Sequence, residues 1–222
     1  MEHKPVYQFG RYQPFISDKM QKNPRVSKWI HSIFGYTAMG AYGRQLIFRR
    51  LLEYVPMEKV HTMLDLGCGT GLLGACLGRI QGAMVGVELS PRMIEQAARH
   101  NVYDKFHNVD LHDALEATPP ALYDVIAALD VFIYAGDMTA AIPQAFAILR
   151  SGGYFFFSCE RTDESGDDLV LRASQRYAHK ASHIESLCRE AGFGELQIDP
   201  VVLRYENNQP VEGFLAMAKK TV

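Results

Sequence analysis

Leu64-Asp65-Leu66-Gly67-Cys68-Gly69-Thr70-Gly71 is the stretch on which the reading of this 222-residue chain turns. It begins inside a short apolar run, Thr62–Leu66, and opens onto a segment with helical apolar spacing, Leu72–Ile80. Glycines at such a junction let the backbone turn sharply and approach a ligand closely, and the helix start offers free N–H groups. The same region holds Gly69-Thr70-Gly71-Leu72-Leu73-Gly74, which fits the G-x-G-x-x-G pattern of dinucleotide sites. Glu88 follows 19 residues beyond Gly69, at the end of the next apolar run. A carboxylate there accepts hydrogen bonds from ribose hydroxyls with either kind of ligand. The glycines alone leave two ligands open.

Outward from this loop, short apolar runs alternate with helix-length segments. Thr62–Leu66, Met84–Glu88, Phe106–Val109, Val125–Leu129 and Gly153–Cys159 read as strands. Leu72–Ile80, Pro91–His100 and Thr139–Leu149 read as helices, with Ser90-Pro91 as an N-cap followed by proline at the first helical position. Alternation of this kind implies right-handed crossovers and a parallel sheet covered on both faces. After a helix near Ser182–Ala191, the runs Leu196–Tyr205 and Val211–Lys219 are joined by Glu206-Asn207-Asn208-Gln209-Pro210. Two strands joined by so short a loop pair antiparallel, so a parallel sheet closed by one antiparallel hairpin is expected. Upstream, Leu46, Ile47, Leu51, Leu52 and Val55 predict an amphipathic helix from about Arg44 to Tyr54, ended at Pro56.

Three features separate the two ligands. Asp65, two residues before the first glycine, would oppose a pyrophosphate but suits an ammonium. Asp110 follows the third strand, where an acidic group can accept from an adenine amino group. The closing antiparallel hairpin is foreign to the usual dinucleotide fold. All three favour an adenosyl ligand without phosphates over the dinucleotide of an oxidoreductase.

LDLGCGTG, then VGVELSPRMI, then NVDLHD resembles the class I S-adenosylmethionine-dependent methyltransferases, over the chain from about residue 45 to its end. The resemblance implies a Rossmann-like α/β fold with a seven-stranded, mostly parallel sheet and an antiparallel C-terminal strand. It implies S-adenosyl-L-methionine as cofactor and S-adenosyl-L-homocysteine as product. Residue by residue, Asp65, Gly67, Cys68, Gly69 and Gly71 would border the methionine and ribose moieties. Glu88 would hold the ribose hydroxyls. Leu89 and Met93 would pack on the adenine, with Asp110 and Leu111 at its edge, and Asp130 and Val131 would lie near the sulfonium. ALDVFIYAGD, RSGGYFFFSCE, SQRYAHK and LRYENNQPVEG are similar to segments of methyltransferases fused behind tetratricopeptide repeats, although this chain carries no such repeats. Residues 1–44 are expected to form an N-terminal helical cap and residues 45–222 the methyltransferase domain.

Composition limits the partners. A net charge of −2 and a pI near 6.4 argue against a nucleic-acid binder. No apolar run approaches membrane-spanning length, and the N-terminus lacks the apolar core of a secretory signal. Cys68, Cys76, Cys159 and Cys188 form no zinc spacing and read as buried thiols of a reducing compartment, so a cytoplasmic protein is expected, monomeric or homodimeric. Charge is unevenly placed: residues 1–60 hold ten Lys/Arg against four Asp/Glu, the remainder thirteen against twenty-one. A basic segment on an acidic body suits an anionic substrate or an acidic carrier protein; the bland alternative is docking of the segment by charge complementarity.

Methyl transfer from a sulfonium is an in-line displacement, so the protein must align the acceptor and, for a hydroxyl or protonated amine, remove a proton. Such groups belong where parallel strands end. His179 is the preferred general base because imidazole titrates near neutrality, with Tyr177 beside it in the catalytic set. Phe132, Tyr134, Glu160 and Arg176 are candidate substrate ligands, each with a plain packing or surface-pairing alternative. Tyr36, with Trp29 and Tyr42, would line an acceptor pocket if the aromatic N-terminal segment closes as a lid; otherwise these rings anchor the segment to the body. His107, Asp110, His112 and Asp113 alternate along an extended segment, but adenine binding already claims it, so no metal site is expected. The reading is methyl transfer to a small-molecule acceptor at oxygen or nitrogen. Methylation of an acyl group on a carrier protein, and a cofactor-binding protein with a regulatory or non-methylating role, remain as alternatives.

Overall fold

The computed structural model describes residues 40–221. Helix α1 (Gly40–Tyr54) precedes the alternating body: β1 (Thr62–Leu66), α2 (Leu72–Leu77), β2 (Ala83–Val87), α3 (Pro91–Ala98), β3 (Lys105–His107), α4 (Leu111–Ala117), β4 (Tyr123–Ala128), α5 (Phe132–Ala135), α6 (Ala141–Ile148) and β5 (Leu149–Arg161). Then come β6 (Leu169–Leu171), β7 (Tyr177–His179), α7 (Ala181–Ala191), β8 (Glu195–Glu206) and β9 (Gln209–Lys219).

The strands form one sheet. From β3 through β2, β1 and β4 to β5 all pairings are parallel. Beyond β5 lies β9, antiparallel to it from Tyr154↔Lys219 to Glu160↔Gly213, and β8 pairs antiparallel with β9 outside it. Asn207 and Asn208, both at positive φ (49° and 61°), make the two-residue turn between β8 and β9. That left-handed pair matches the twist of a tight hairpin. This is the Rossmann-like arrangement expected from the alternation, with the antiparallel strand at the expected end.

A small hairpin, β6 with β7, is added where the sequence predicts only a segment leading into a helix. It attaches through Glu160↔Ala178 and Arg161↔His179, beyond the point where β4 leaves β5. Three-residue strands of mixed polarity carry too little alternation to be seen from sequence. Ser90 also differs from expectation. It occupies the N-cap position with proline next, but its hydroxyl caps nothing; its own N–H instead donates to Glu88 Oε1 at 2.8 Å.

Helices cover both faces. On one, α1, α2 and α3 bury Leu51, Val55 and Ala97 against Met63, Met84 and Val125. On the other, α4, α6 and α7 bury Leu115, Ile142 and Ile184 with Phe132, Phe155 and Phe157, whose rings meet edge-on or stacked. Because the chain runs outward from β1 to β3 and then returns to β4 on the other side of β1, the order in which strands are added reverses between β1 and β4, while the strands themselves stay parallel. A crevice opens at the carboxyl ends of those two strands.

The opposite end of the sheet is tied by Asp124. Its carboxylate accepts from the His61 and Thr62 N–H groups (2.9 and 2.8 Å), from Thr62 Oγ1 (3.1 Å) and from Arg150 Nη1 (3.0 Å). Burial alone would raise its pKa, but these donors outweigh burial and hold it below the usual carboxylate value. Asp124→Ala is therefore expected to lower stability by about 1–3 kcal/mol at neutral pH. A depressed pKa contributes stability that is present above the unfolded value, near pH 4, and is lost as pH falls through the folded one. Denaturant midpoints of the two proteins should converge in acid; equal midpoints at pH 7 would refute the role.

Candidate active site

Asp65 is the penultimate residue of β1, 3% exposed and followed by the fully buried Leu66. Beyond it the chain turns through Gly67, Gly69 and Gly71, all at positive φ (64°, 55° and 78°). Gly67 is required twice over: a Cβ there would lie 2.3 Å from Val131 Cγ2. At Gly69 a Cβ would meet nothing within 4 Å, so this side of the loop faces open space. The Cys68 N–H donates to the Val87 carbonyl at 2.9 Å, and the Gly69 N–H donates to Glu88 Oε2 at 3.0 Å. Glu88 thus closes the loop against the end of β2 through Gly69 and Ser90, and each of its oxygens keeps a further lone pair for a ligand hydroxyl. Asn108 Nδ2 donates to the carbonyls of Glu88 and Leu89 (both 2.9 Å) and holds this segment in place.

A cavity of about 220 Å³ lies in front of the loop. Asp65, Gly67, Cys68, Asp130, Ser158 and Arg204 line it, and Phe48, Leu72, Leu73, Leu129 and Leu203 give it apolar walls. Following Glu88 in the chain, Leu89 (66% exposed) and Met93 (43%) are large apolar side chains on the surface, suited to covering a planar ring. Asp110 caps α4, accepting from the His112 N–H at 2.8 Å, while Leu111 is packed into the core.

Asp65 is a buried carboxylate, and among the described residues no cation pairs with it. Tyr103 Oη donates to its Oδ2 at 2.6 Å. Burial pushes its pKa up to about 7, with the Glu88 charge adding to the rise and the Tyr103 hydrogen bond opposing it. Burial, with Asp65 and Glu88 nearby, drives the Cys68 thiol well above its usual value, so Cys68 is a small apolar group here rather than a nucleophile.

Asp130, which also lines the cavity, stands at φ 59°, left-handed for a non-glycine residue, and its N–H donates to Ser158 Oγ at 2.8 Å. Arg204, from β8, places Nη1 2.8 Å from Asp130 Oδ1 and Nε 2.7 Å from Glu206 Oε1, and bonds Glu160 through Nη2. Burial works against the charge on Arg204, and the three carboxylates outweigh burial and raise its pKa. Glu160 is 2% exposed, with Arg172 Nε 3.7 Å from it. Arg176 is ion-paired with Glu206.

The structure distributes the residues singled out from sequence unevenly. Asp65, Gly67, Cys68 and Asp130 line the cavity; Gly69, Gly71 and Glu88 shape its loop; Val131 packs against Gly67. Phe132 is fully buried in the core, whereas Tyr134, two residues on, is 65% exposed. His179 is 2% exposed on β7, with Nε2 2.6 Å from the Gly136 carbonyl, so Nε2 carries the proton. Burial lowers its pKa, chiefly against that opposing hydrogen bond, and no part of it lines the cavity. The Tyr177 ring closes over Gly136, where a Cβ would come within 3.0 Å. Tyr36 and Trp29, and the proposed lid with them, lie outside the described residues, as does the Tyr42 side chain. Tyr103, Ser158 and Arg204 were not anticipated.

The sequence profile of a family described as "Methyltransferase domain" matches residues 39–197. The chain belongs to this methyltransferase family. Family and fold imply S-adenosyl-L-methionine as cofactor. The site fits it: an unpaired buried carboxylate for an ammonium, a glycine loop open at Gly69, and Glu88 for ribose hydroxyls.

Among curated proteins this methyltransferase is 27% identical over 151 residues to a ubiquinone biosynthesis O-methyltransferase of Nitrosomonas europaea, covering 60% of this chain and 64% of that one. It is 24% identical over 165 residues to the protein of the same name from Albidiferax ferrireducens, covering 64% and 66%. The chain thus spans about two thirds of the length of these relatives. A SAM-dependent methyltransferase from Methanosarcina mazei superposes with a TM-score of 0.60 at 15% identity, over 78% of this chain and 97% of that one. The [4+2]-cyclase SpnF superposes with a TM-score of 0.64 at 18% identity, over 82% of each. These matches do not support the narrower likeness to repeat-fused methyltransferases.

Proposed function

We propose that this methyltransferase transfers the methyl group of S-adenosylmethionine to an oxygen of a small-molecule acceptor at the mouth of the cavity between β1 and β4. The observation that carries this is the Asp130 carboxylate in the lining of the cavity that also holds Asp65 and Gly67, its direction set by Arg204 and its backbone N–H by Ser158. The O-methyltransferase names of the curated relatives support oxygen over nitrogen.

When bound, the cofactor supplies an electrophilic methyl on a good leaving group. Asp65 would hold its ammonium, Glu88 its ribose hydroxyls, and Leu89 and Met93 its adenine. Asp130 is the carboxylate in position to take the acceptor's proton, and Arg204 fixes its direction. Asp130 is preferred to His179 because His179 is buried on β7 and does not line the cavity. The buried Leu203 and half-buried Leu129 give the transfer an apolar wall that limits access of water.

Methyl-tritiated S-adenosylmethionine, incubated with the full chain and a host extract fractionated by size, tests the reading. Label is expected in the small-molecule fraction. Label on macromolecules would replace it with methylation of a carrier protein. Tight cofactor binding without transfer would replace it with a non-methylating reaction, for which the cyclase SpnF shows the fold suffices.

A further inference from the structure

Tyr103 lies between α3 and β3, outside every motif of the loop it touches. Its ring packs behind that loop: a Cβ on Gly71 would come within 3.1 Å of it, and one on Gly74 within 2.5 Å. Its hydroxyl makes two bonds with opposite roles. The single proton goes to Asp65 Oδ2 at 2.6 Å, and an oxygen lone pair accepts the Gly74 N–H at 3.2 Å. Gly74 is in the first turn of α2, where an N–H has no partner within the helix. The Gly74 bond therefore fixes the hydroxyl so that its proton can point only at Asp65. One side chain thus joins both ends of the glycine loop, the strand tip and the helix start.

We propose that Tyr103 is a positioning residue for cofactor binding, holding the Asp65 carboxylate for the ammonium group of S-adenosylmethionine. This rests on the reading of the loop as the cofactor site. Among the described residues, the charged and titratable groups that face Asp65 are Tyr103 itself, Glu88 from the end of β2 and Cys68 in the loop. Neither Glu88 nor Cys68 donates to it, so of these Tyr103 is the one that favours the ionised form. An ammonium ligand requires that form. Losing the hydroxyl lets Asp65 take up a proton at a higher pH, so the deficit is largest near and below neutrality and shrinks in mild alkali.

Calorimetric titrations of the full chain with S-adenosylhomocysteine and with methylthioadenosine separate this from simple loop bracing. The second probe keeps the adenosine and thioether but lacks the amino acid. Tyr103→Phe should weaken S-adenosylhomocysteine about tenfold at pH 6.5 and clearly less at pH 8.0, while methylthioadenosine changes less than about twofold. Asp65→Asn, which cannot titrate, should bind with an affinity that no longer changes between the two pH values, so its deficit against the wild type grows toward pH 8.0, and adding Tyr103→Phe to it should change nothing further. Equal losses for both probes, or a deficit independent of pH, would overturn the proposal. If the wild-type chain binds neither probe, the cofactor reading itself fails, and the proposal with it.

Discussion

Gly67→Ala is expected to weaken S-adenosylhomocysteine binding by roughly a hundredfold or more while the protein stays folded. Two effects combine. An alanine held at φ 64° is left-handed and costs about 1–2 kcal/mol. Its methyl would also lie 2.3 Å from Val131 Cγ2 and 2.9 Å from Val131 Cβ. The second contact cannot be relieved by turning the valine about χ1, because Cβ does not move. Overpacking of this kind costs about 1–3 kcal/mol more. The loop can escape only by shifting away from the β4 side, and that shift breaks the short bonds from Cys68 to Val87 and from Gly69 to Glu88. Strain is thus exported to the ligand site rather than to the core. Calorimetry with S-adenosylhomocysteine, alongside a thermal melt, measures the partition. Adding Val131→Ala leaves only the Cβ contact and the backbone strain, so partial recovery of affinity is expected. Wild-type affinity in Gly67→Ala would show that the loop does not form the cofactor site.

The parts of this site that sequence reveals are those where neighbours in the chain are neighbours in space. Asp65 and the three glycines sit within one turn, and the strand before them and helix after them are forced by apolar spacing. Glu88 and Asp130 are legible because every strand of a parallel sheet delivers its last residue to the same edge. Tyr103, Ser158 and Arg204 reach the site by packing from distant segments. Arg204 falls within the stretch LRYENNQPVEG, but in a strand that also carries Glu195, Asp199 and Glu206 a cation reads equally well as a solvent-facing position. Phe132 and Tyr134 show the opposite error. Both follow β4, but the chain enters the short helix α5 there, so Phe132 turns into the core and Tyr134 turns out of it. His179 drew attention for its chemistry; the hairpin that buries it has no signal in three-residue strands.

Arg204→Met is expected to lower stability by about 3 kcal/mol, a loss that Glu160→Gln should largely reverse. Glu160 is 2% exposed, so its charge depends on partners inside the protein. Arg204 bonds it directly, and Arg172 Nε is more distant at 3.7 Å. Removing one member of a buried pair costs about 3–5 kcal/mol, because the remaining charge is stranded. The residual Arg172 contact and the 17% exposure of the Arg204 side chain place the expectation at the lower end. For a domain of this size that is a fall of roughly 6–12 °C in Tm. Methionine keeps the apolar stem of the arginine and removes its guanidinium, so the loss chiefly reports charge rather than lost stem packing. Glu160→Gln alone should be milder, since Arg204 keeps Asp130 and Glu206. In the double variant the stranded charge is gone, and most of the stability returns. Thermal melts of the four proteins complete the cycle. A double variant no more stable than Arg204→Met would mean that Glu160 is not what Arg204 neutralises. If the cycle closes as expected, the pair at Glu160 anchors Arg204, and the anchored guanidinium is what holds Asp130 at the cavity wall.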